Sequence, residues 1–556
     1  MPIDRRLFLA GSSMLLSASM AGAAIIAPRA NAAQQKALAA IAALMETHRR
    51  HHGLPAMGMV VVDGADPFFI QSGTRDYRET SALAGDELWQ IGSISKSFIA
   101  LICLQLQAEG KMTLADELRQ HLPEARLPGV SSGGPFTIQG LLDHTTGLPD
   151  FAPAFPADDS RLWRGFSAGS HWSYSNTGYD LVGAAIERIE GKPLYQVIEA
   201  RVCKPLGMAA TRGAIQWRDR TRFPASYGPV RPDLPALVKT ALAPAPWVDA
   251  NLGAGSVAST LADMGKYLGF LIAVGQGKGA PLLTDGQAGV WLASPVVQDP
   301  ANVTETYGLG LMHREQDGRK LLHHTGGMVS FSSSFHVDAA AGTGAFASCA
   351  VGGINYRPRA ITAYAARAMR LAREGQAPPA PPAFAVPAIK PEEFAGTFSD
   401  GSETISIGPG LTISGGGDVA ALEPAGPDML VTSLPALADF ALVAVRQSGG
   451  IAALDHGSRR FVREGTEAPL PVTPPALLAR QGWYQSDDPW MGGFAVVARG
   501  DRLYLGGTDM LTGIGDDVWR LAQPEWHPER LRFAAFIKGI PQIAVLSGRV
   551  YERRDR

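Results

Sequence analysis

Cysteine is nearly absent from this chain. There are three in 556 residues, Cys103, Cys203 and Cys349, far apart and each in apolar surroundings. An odd number without a C-x-x-C spacing excludes a disulfide framework and argues against a cysteine zinc site; buried free thiols are the expectation. Charge of one sign is missing too: 50 Lys and Arg stand against 52 Asp and Glu, a net charge of −2 with no block of like charges. Nucleic acid is therefore not an expected partner. No G-x-G-x-x-G follows a strand, and neither a Walker A nor an H-E-x-x-H sequence is present, so no cofactor and no metal are expected. The histidines of Glu46-Thr47-His48-Arg49-Arg50-His51-His52 close an amphipathic stretch and read as a solvated helix end.

Long apolar runs are absent as well. Asp4-Arg5-Arg6-Leu7-Phe8-Leu9 leads into an Ala/Ser-rich run too short and too rich in serine to span a bilayer comfortably, and Ala30-Asn31-Ala32 follows. This resembles a twin-arginine signal cleaved after Ala32. The expectation is a bacterial protein, periplasmic or secreted, with residues 1–32 apart from the fold and no stable membrane insertion after cleavage.

What is present is ample core. Hydrophobic residues make up 46% of a chain longer than one core normally holds, and 63 Gly with 40 Pro favour many turns. A helix over about 34–52 precedes the run Met57-Gly58-Met59-Val60-Val61-Val62-Asp63-Gly64, a strand entering a hairpin with Pro67 to Gly73. Strand-like runs at 332–337 and 344–351 and a helix at 360–373 suggest one sheet built from both ends of a domain, with the helices between them forming a second lobe. Gly375-Gln376-Ala377-Pro378-Pro379-Ala380-Pro381-Pro382-Ala383 is a linker. Beyond it come short alternating strands and a weak repeat. Phe394-Ala395-Gly396-Thr397-Phe398 with Phe461-Val462-Arg463 corresponds to Gln481-Gly482-Trp483-Tyr484 with Tyr551-Glu552-Arg553. Two small antiparallel β-barrels are expected. The boundaries read as a signal over 1–32, a main domain over 33–374, a linker over 375–390 and barrels over 391–468 and 469–556.

The chemistry centres on Trp89-Gln90-Ile91-Gly92-Ser93-Ile94-Ser95-Lys96, where a glycine hinge leads into a helix opening at Ser93. Ile94, Phe98, Leu101, Leu104 and Ala108 give that helix its apolar spacing and Gly110 its stop. Ser93 and Lys96, three apart, share a face. A serine needs a base, and lysine serves only when burial or a nearby cation lowers its pKa. Two further pieces bear on this pair. Tyr174-x-Asn176 offers a phenol for proton transfer and a carboxamide for a substrate amide. His324-Thr325-Gly326 before a strand offers an open edge, with the N–H of Gly327 a second oxyanion donor beside that of Ser93.

With His144-Thr145-Thr146-Gly147-Leu148, Pro205-Leu206-Gly207-Met208 and Tyr307-Gly308-Leu309-Gly310, these pieces make residues 34–373 resemble the penicillin-recognising serine hydrolases: class C β-lactamases, D,D-carboxypeptidases, D-aminopeptidases and related esterases. The resemblance implies an α+β fold, an antiparallel sheet flanked by helices with an all-helical lobe. It also implies a covalent acyl-enzyme: Ser93 attacks, Lys96 and Tyr174 share the base role, and Ser93 and Gly327 bind the oxyanion. Asn176, His324, Thr325 and Gly326 would bind substrate. Many relatives carry lysine where this chain has His324, and a histidine largely neutral at pH 7 weakens the β-lactamase and carboxypeptidase readings. The two barrels are similar to those of D-aminopeptidases. A small peptide, amide or ester is the expected substrate, a peptidase or amidase the leading activity, and an esterase and then a β-lactamase the alternatives. A penicillin- or muropeptide-binding module without turnover is the alternative from another class, and a homodimer is a further possibility.

Overall fold

The computed structural model describes residues 23–76, 78, 81–156, 160–293, 295–521 and 524–555. They fall into two compact units, 23–228 with 242–382, and 229–241 with 383–555.

The first unit is built on an antiparallel sheet in the order Ala23–Ile26, Asp66–Asp76, Ala56–Asp63, Thr343–Cys349, Ser332–Asp338, Arg319–Gly327, Leu311–Gln316, Glu305–Gly308 and Val296–Val297. Strands from both ends of the domain thus meet in the middle, where Cys349 lies opposite Met57 and Val60 opposite Phe346. The hairpin expected at Asp63-Gly64 is there, with Asp63 paired to Asp66. Methionine and valine run without polar interruption through Ala56–Asp63 because both faces of this strand are covered. Met57, Met59 and Val61 pack with Leu38, Ile41 and Met45 of the Ala32–His51 helix and with Ala365 and Met369 of the Arg359–Arg373 helix. On the other face, Gly265 of the Leu261–Gly275 helix sits over Val60, where an added Cβ would be 3.3 Å from Val60 Cγ2.

The start of this unit differs from expectation. Arg5-Arg6 lie outside the described residues, but the end of the expected leader takes part in the fold. Ala23–Ile26 pairs with the Asp66–Asp76 strand, Ala23 opposite Ser72. Asn31 caps the first helix, accepting from Gln34 N at 2.9 Å while its own N–H donates to Gln34 Oε1 at 2.8 Å. No described helix is long and apolar enough to cross a membrane. The helical lobe comprises Ser95–Ala108, Leu118–His121, Ile138–Leu142, Asn176–Glu190 and Leu194–Ile198.

The second unit contains two closed eight-stranded antiparallel barrels, running from Gly396–Ser399 to Arg459–Arg463 and from Gly482–Gln485 to Arg549–Arg554. The weak sequence repeat has a physical cause. Each barrel follows a one-turn helix, Pro391–Phe394 or Pro475–Leu478, and an arginine of the last strand grips the chain beside it. Arg463 donates to Ala395 O, Glu393 O and Ile451 O at 2.6, 2.5 and 2.6 Å and stacks over Phe398. Arg553 donates to Ala479 O and Gln481 O at 3.0 and 2.6 Å, beside Tyr484. Gly396 and Gly482 recur because a Cβ there would come 2.5 Å from Arg463 Nη1 and 3.0 Å from Arg553 Cζ. The segment 229–241, expected within the main domain, groups with the barrels, and its Val238 N–H donates to the Glu423 carboxylate at 2.7 Å.

Candidate active site

Ser93 lies in a 3-10 turn, Gly92–Ile94, that runs directly into the Ser95–Ala108 helix. Ile94, Phe98, Leu101 and Leu104 are buried as their spacing predicts; Ala108 is exposed, and Gly110 ends the helix at φ +67°. The turn is pressed against the sheet. A Cβ on Gly92, which has φ +54°, would be 2.7 Å from Gly327 N, and one on Gly326 would be 1.9 Å from Ile91 O. Only glycines allow the nucleophile turn and the strand to approach so closely. Past His323, which pairs with Met312, the Arg319–Gly327 strand has, among the described residues, a strand partner on the Ser332–Asp338 side only.

Lys96 is fully buried. Its Nζ donates to Ser93 Oγ at 3.2 Å, Asn176 Oδ1 at 2.6 Å and Ala254 O at 2.7 Å. Burial drives its pKa down to about 7, against the opposing pull of Asp150 and Asp180. A lysine so placed is divided between ammonium and free amine at neutral pH, as a base for serine must be. Tyr174 behaves in the opposite way. Burial raises its pKa, and its hydrogen bond with Ser93 offsets this only in part. Burial thus favours the protonated phenol of Tyr174, while it favours the free amine of Lys96.

Asn176 opens the Asn176–Glu190 helix, which Ser175 caps by accepting from Gly178 N. The carboxamide is engaged at both ends, its oxygen by Lys96 and its Nδ2 by Asp150 Oδ1 at 2.8 Å. One N–H remains for a substrate. His144, noted in the sequence only as part of a motif, supports Tyr174: the rings lie 4.3 Å apart, and His144 Nδ1 accepts from Ser175 N at 3.0 Å. Tyr307 packs 4.6 Å from the same imidazole.

His324 is 1% exposed. Its Nδ1 is 2.6 Å from Thr325 O, a pure acceptor, so Nδ1 carries the proton and Nε2 accepts from Tyr307 at 3.3 Å. Burial takes its pKa down to about 3, with neighbouring Lys96 adding to the fall. Burial therefore favours a neutral imidazole at His324, held between Tyr307 and its own chain. Two charged neighbours escaped that reading. Asp150 follows Gly147-Leu148-Pro149, an acidic residue in an otherwise apolar loop. Arg357 precedes the last helix, and its Nη2 lies where a Cβ on Gly327 would come within 2.3 Å. Its Nη1 donates to Ser332 Oγ and Tyr356 O, each at 2.9 Å. Among the described residues no cluster of His, Cys, Asp and Glu could hold a metal.

Residues 39–370 match the beta-lactamase family. The chain belongs to that family. Within it, the chain is 28% identical over 233 residues to the D-alanyl-D-alanine-carboxypeptidase/endopeptidase AmpH of Escherichia coli, covering 39% of this chain and 57% of that protein. It is 30% identical over 172 residues to penicillin-binding protein 4* of Bacillus subtilis, 28% of this chain and 37% of the relative. It is 31% identical over 179 residues to esterase EstB of Burkholderia gladioli, 28% of this chain and 45% of the relative. The chain thus spans roughly half the length of these curated relatives. The octameric penicillin-binding protein homologue from Pyrococcus abyssi shares the fold, with a TM-score of 0.53 and 17% identity across 85% of this chain and 99% of that one.

Proposed function

We propose that this protein is an exported hydrolase that works through an acyl-enzyme on Ser93, with a D-aminopeptidase-like peptidase or amidase as its leading activity. The observation that carries the reading is the 3.2 Å contact of a buried Lys96 amine with Ser93 Oγ. In the first step Lys96 takes the Ser93 proton as Oγ bonds to the substrate carbonyl carbon. The carbonyl electron pair moves to oxygen, between the N–H groups of Ser93 and Gly327. Collapse expels the leaving group, which takes a proton from Tyr174, and Lys96 restores the phenol. Water then enters by the same proton path and releases the acid. The substrate backbone lies along Thr325 and Gly326, its amide meets the free N–H of Asn176, and His324 forms the neutral back wall. Support for a twin-arginine leader remains with residues 1–32 of the sequence.

A second reading, cleavage next to a free carboxylate, has one observation in its favour. Arg357 places a guanidinium beside Gly327, whereas His324 on the strand is a buried imidazole that burial keeps neutral. The test is a panel of D-alanine and L-alanine anilides, a short nitrophenyl ester, a chromogenic cephalosporin and a dipeptide with a free C-terminus, run beside Ser93→Ala. D-anilide hydrolysis lost in the variant supports the leading activity. Ester turnover alone moves the assignment to an esterase, and activity surviving in Ser93→Ala refutes the mechanism.

A further inference from the structure

Asp150 is tied to the catalytic lysine by an intervening amide. Its Oδ1 accepts from Asn176 N at 2.9 Å and from Asn176 Nδ2 at 2.8 Å, while its backbone oxygen accepts from Thr177 N at 3.0 Å. On the far side Asn176 Oδ1 accepts from Lys96 Nζ at 2.6 Å. The result is a row of carboxylate, carboxamide and amine at the positive end of the Asn176–Glu190 helix.

We propose that Asp150 is the positioning residue of the general base: it locks the Asn176 oxygen towards Lys96 and supplies the anion against which that amine is held. The argument is electrostatic. A flipped Asn176 would set its oxygen against the Asp150 carboxylate and its NH2 against the Lys96 ammonium, two repulsive contacts in place of two attractive ones. A neutral acceptor at 150 would remove the first of these penalties. The remaining groups around Lys96 do not supply this anion directly. Tyr174 and Tyr179 present rings 4.8 and 5.3 Å from Nζ, and His144 and His324 are buried imidazoles whose pKa values burial lowers. Asp180 acts through the backbone, accepting Ala254 N at 2.9 Å while Ala254 O accepts from Lys96. Asp150 and Asp180 both favour the ammonium form of Lys96. Removing the Asp150 charge should therefore make the amine easier to deprotonate.

The inference rests on the reading of Lys96 as the base for Ser93. It is tested on the full chain by kcat/KM for a nitrophenyl ester against pH. Asp150→Asn keeps an oxygen acceptor and removes the charge. Its acid limb should move down by about one pH unit, the low end of the range for a nearby opposite charge. Asp150→Glu keeps the charge and should leave the limb in place while lowering the plateau. Asn176→Ser removes the Lys96 acceptor at the middle of the row and should move the limb in the same direction, and the double variant should move it at least as far as either single change. It decides the matter if Asp150→Asn does not fold. A limb unmoved in Asp150→Asn, or in Asn176→Ser where that alone folds, would overturn the role even if the plateau fell, because a merely structural contact lowers rate or stability without moving a limb. A wild-type profile with no acid limb near 7 would instead refute the base assignment itself.

Discussion

Gly326→Ala is the substitution that most sharply probes the packing of the nucleophile turn on the sheet. The new methyl would stand 1.9 Å from Ile91 O, 2.4 Å from Ser333 Oγ and 2.8 Å from Ile91 C, where real Cβ contacts do not fall below 3.0 Å. It would also intrude on the hydrogen bond from Ser333 Oγ to Ile91 O, 2.9 Å long, that ties strand to turn. Two of the three atoms are backbone and cannot rotate away, so the turn must retreat by roughly 1 Å. Ile91 is two residues before Ser93, and the retreat carries the nucleophile away from the strand. A misplacement of that size costs on the order of 100-fold in rate, and overpacking costs about 1–3 kcal/mol of stability. The assay is kcat/KM on a nitrophenyl ester with thermal unfolding of the same samples. Gly269→Ala in the Leu261–Gly275 helix is the control, because its Cβ meets nothing within 4 Å. It should gain about 0.5–1 kcal/mol and keep full activity. A folded Gly326→Ala enzyme with wild-type kcat/KM would refute the close-approach argument.

Other outcomes follow from the same geometry. The kcat/KM of the wild type should rise with pH through about 7, because Lys96 must lose its proton to act and its pKa is about 7. His324 should add no inflection between pH 5 and 8, since burial holds it neutral with a pKa of about 3; imidazole resonances followed by NMR would report it directly. Arg463→Gln and Arg553→Gln should each destabilise their own barrel by about 2–3 kcal/mol, the scale of charge-assisted bonds left unmade, while turnover by the first unit persists. This is checked by limited proteolysis and calorimetry beside the ester assay.

The Ser93 and Lys96 pair was legible from local spacing, one helical turn apart. Tyr174 and Asn176 were joined to it only through the family resemblance, since the Lys96–Asn176 contact spans 80 positions. Asp150 was missed because its contact with Asn176 spans 26 positions, and nothing in an isolated Pro-Asp pair says which backbone it will meet. The burial of both His323 and His324 was equally hidden. Alternation along a strand predicts one exposed side chain, but this sheet is covered on both faces at that point. The helix opens at Asn176 because the Ser175 side chain caps it by accepting from Gly178 N, a contact that a run of polar residues does not announce. In the barrels, by contrast, the Gly-x-Phe and Gly-x-Tyr pairs with their distant arginines could be read in advance, since the same physical contact is made twice.

The central claim is that Ser93 carries the acyl group. Its most direct test is intact-mass and peptide analysis after reaction with a fluorophosphonate, beside turnover of the nitrophenyl ester. One equivalent of label on the peptide containing Ser93, with no label and no turnover in Ser93→Ala, is the expected result. Label on another residue, or undiminished ester turnover in Ser93→Ala, would contradict it.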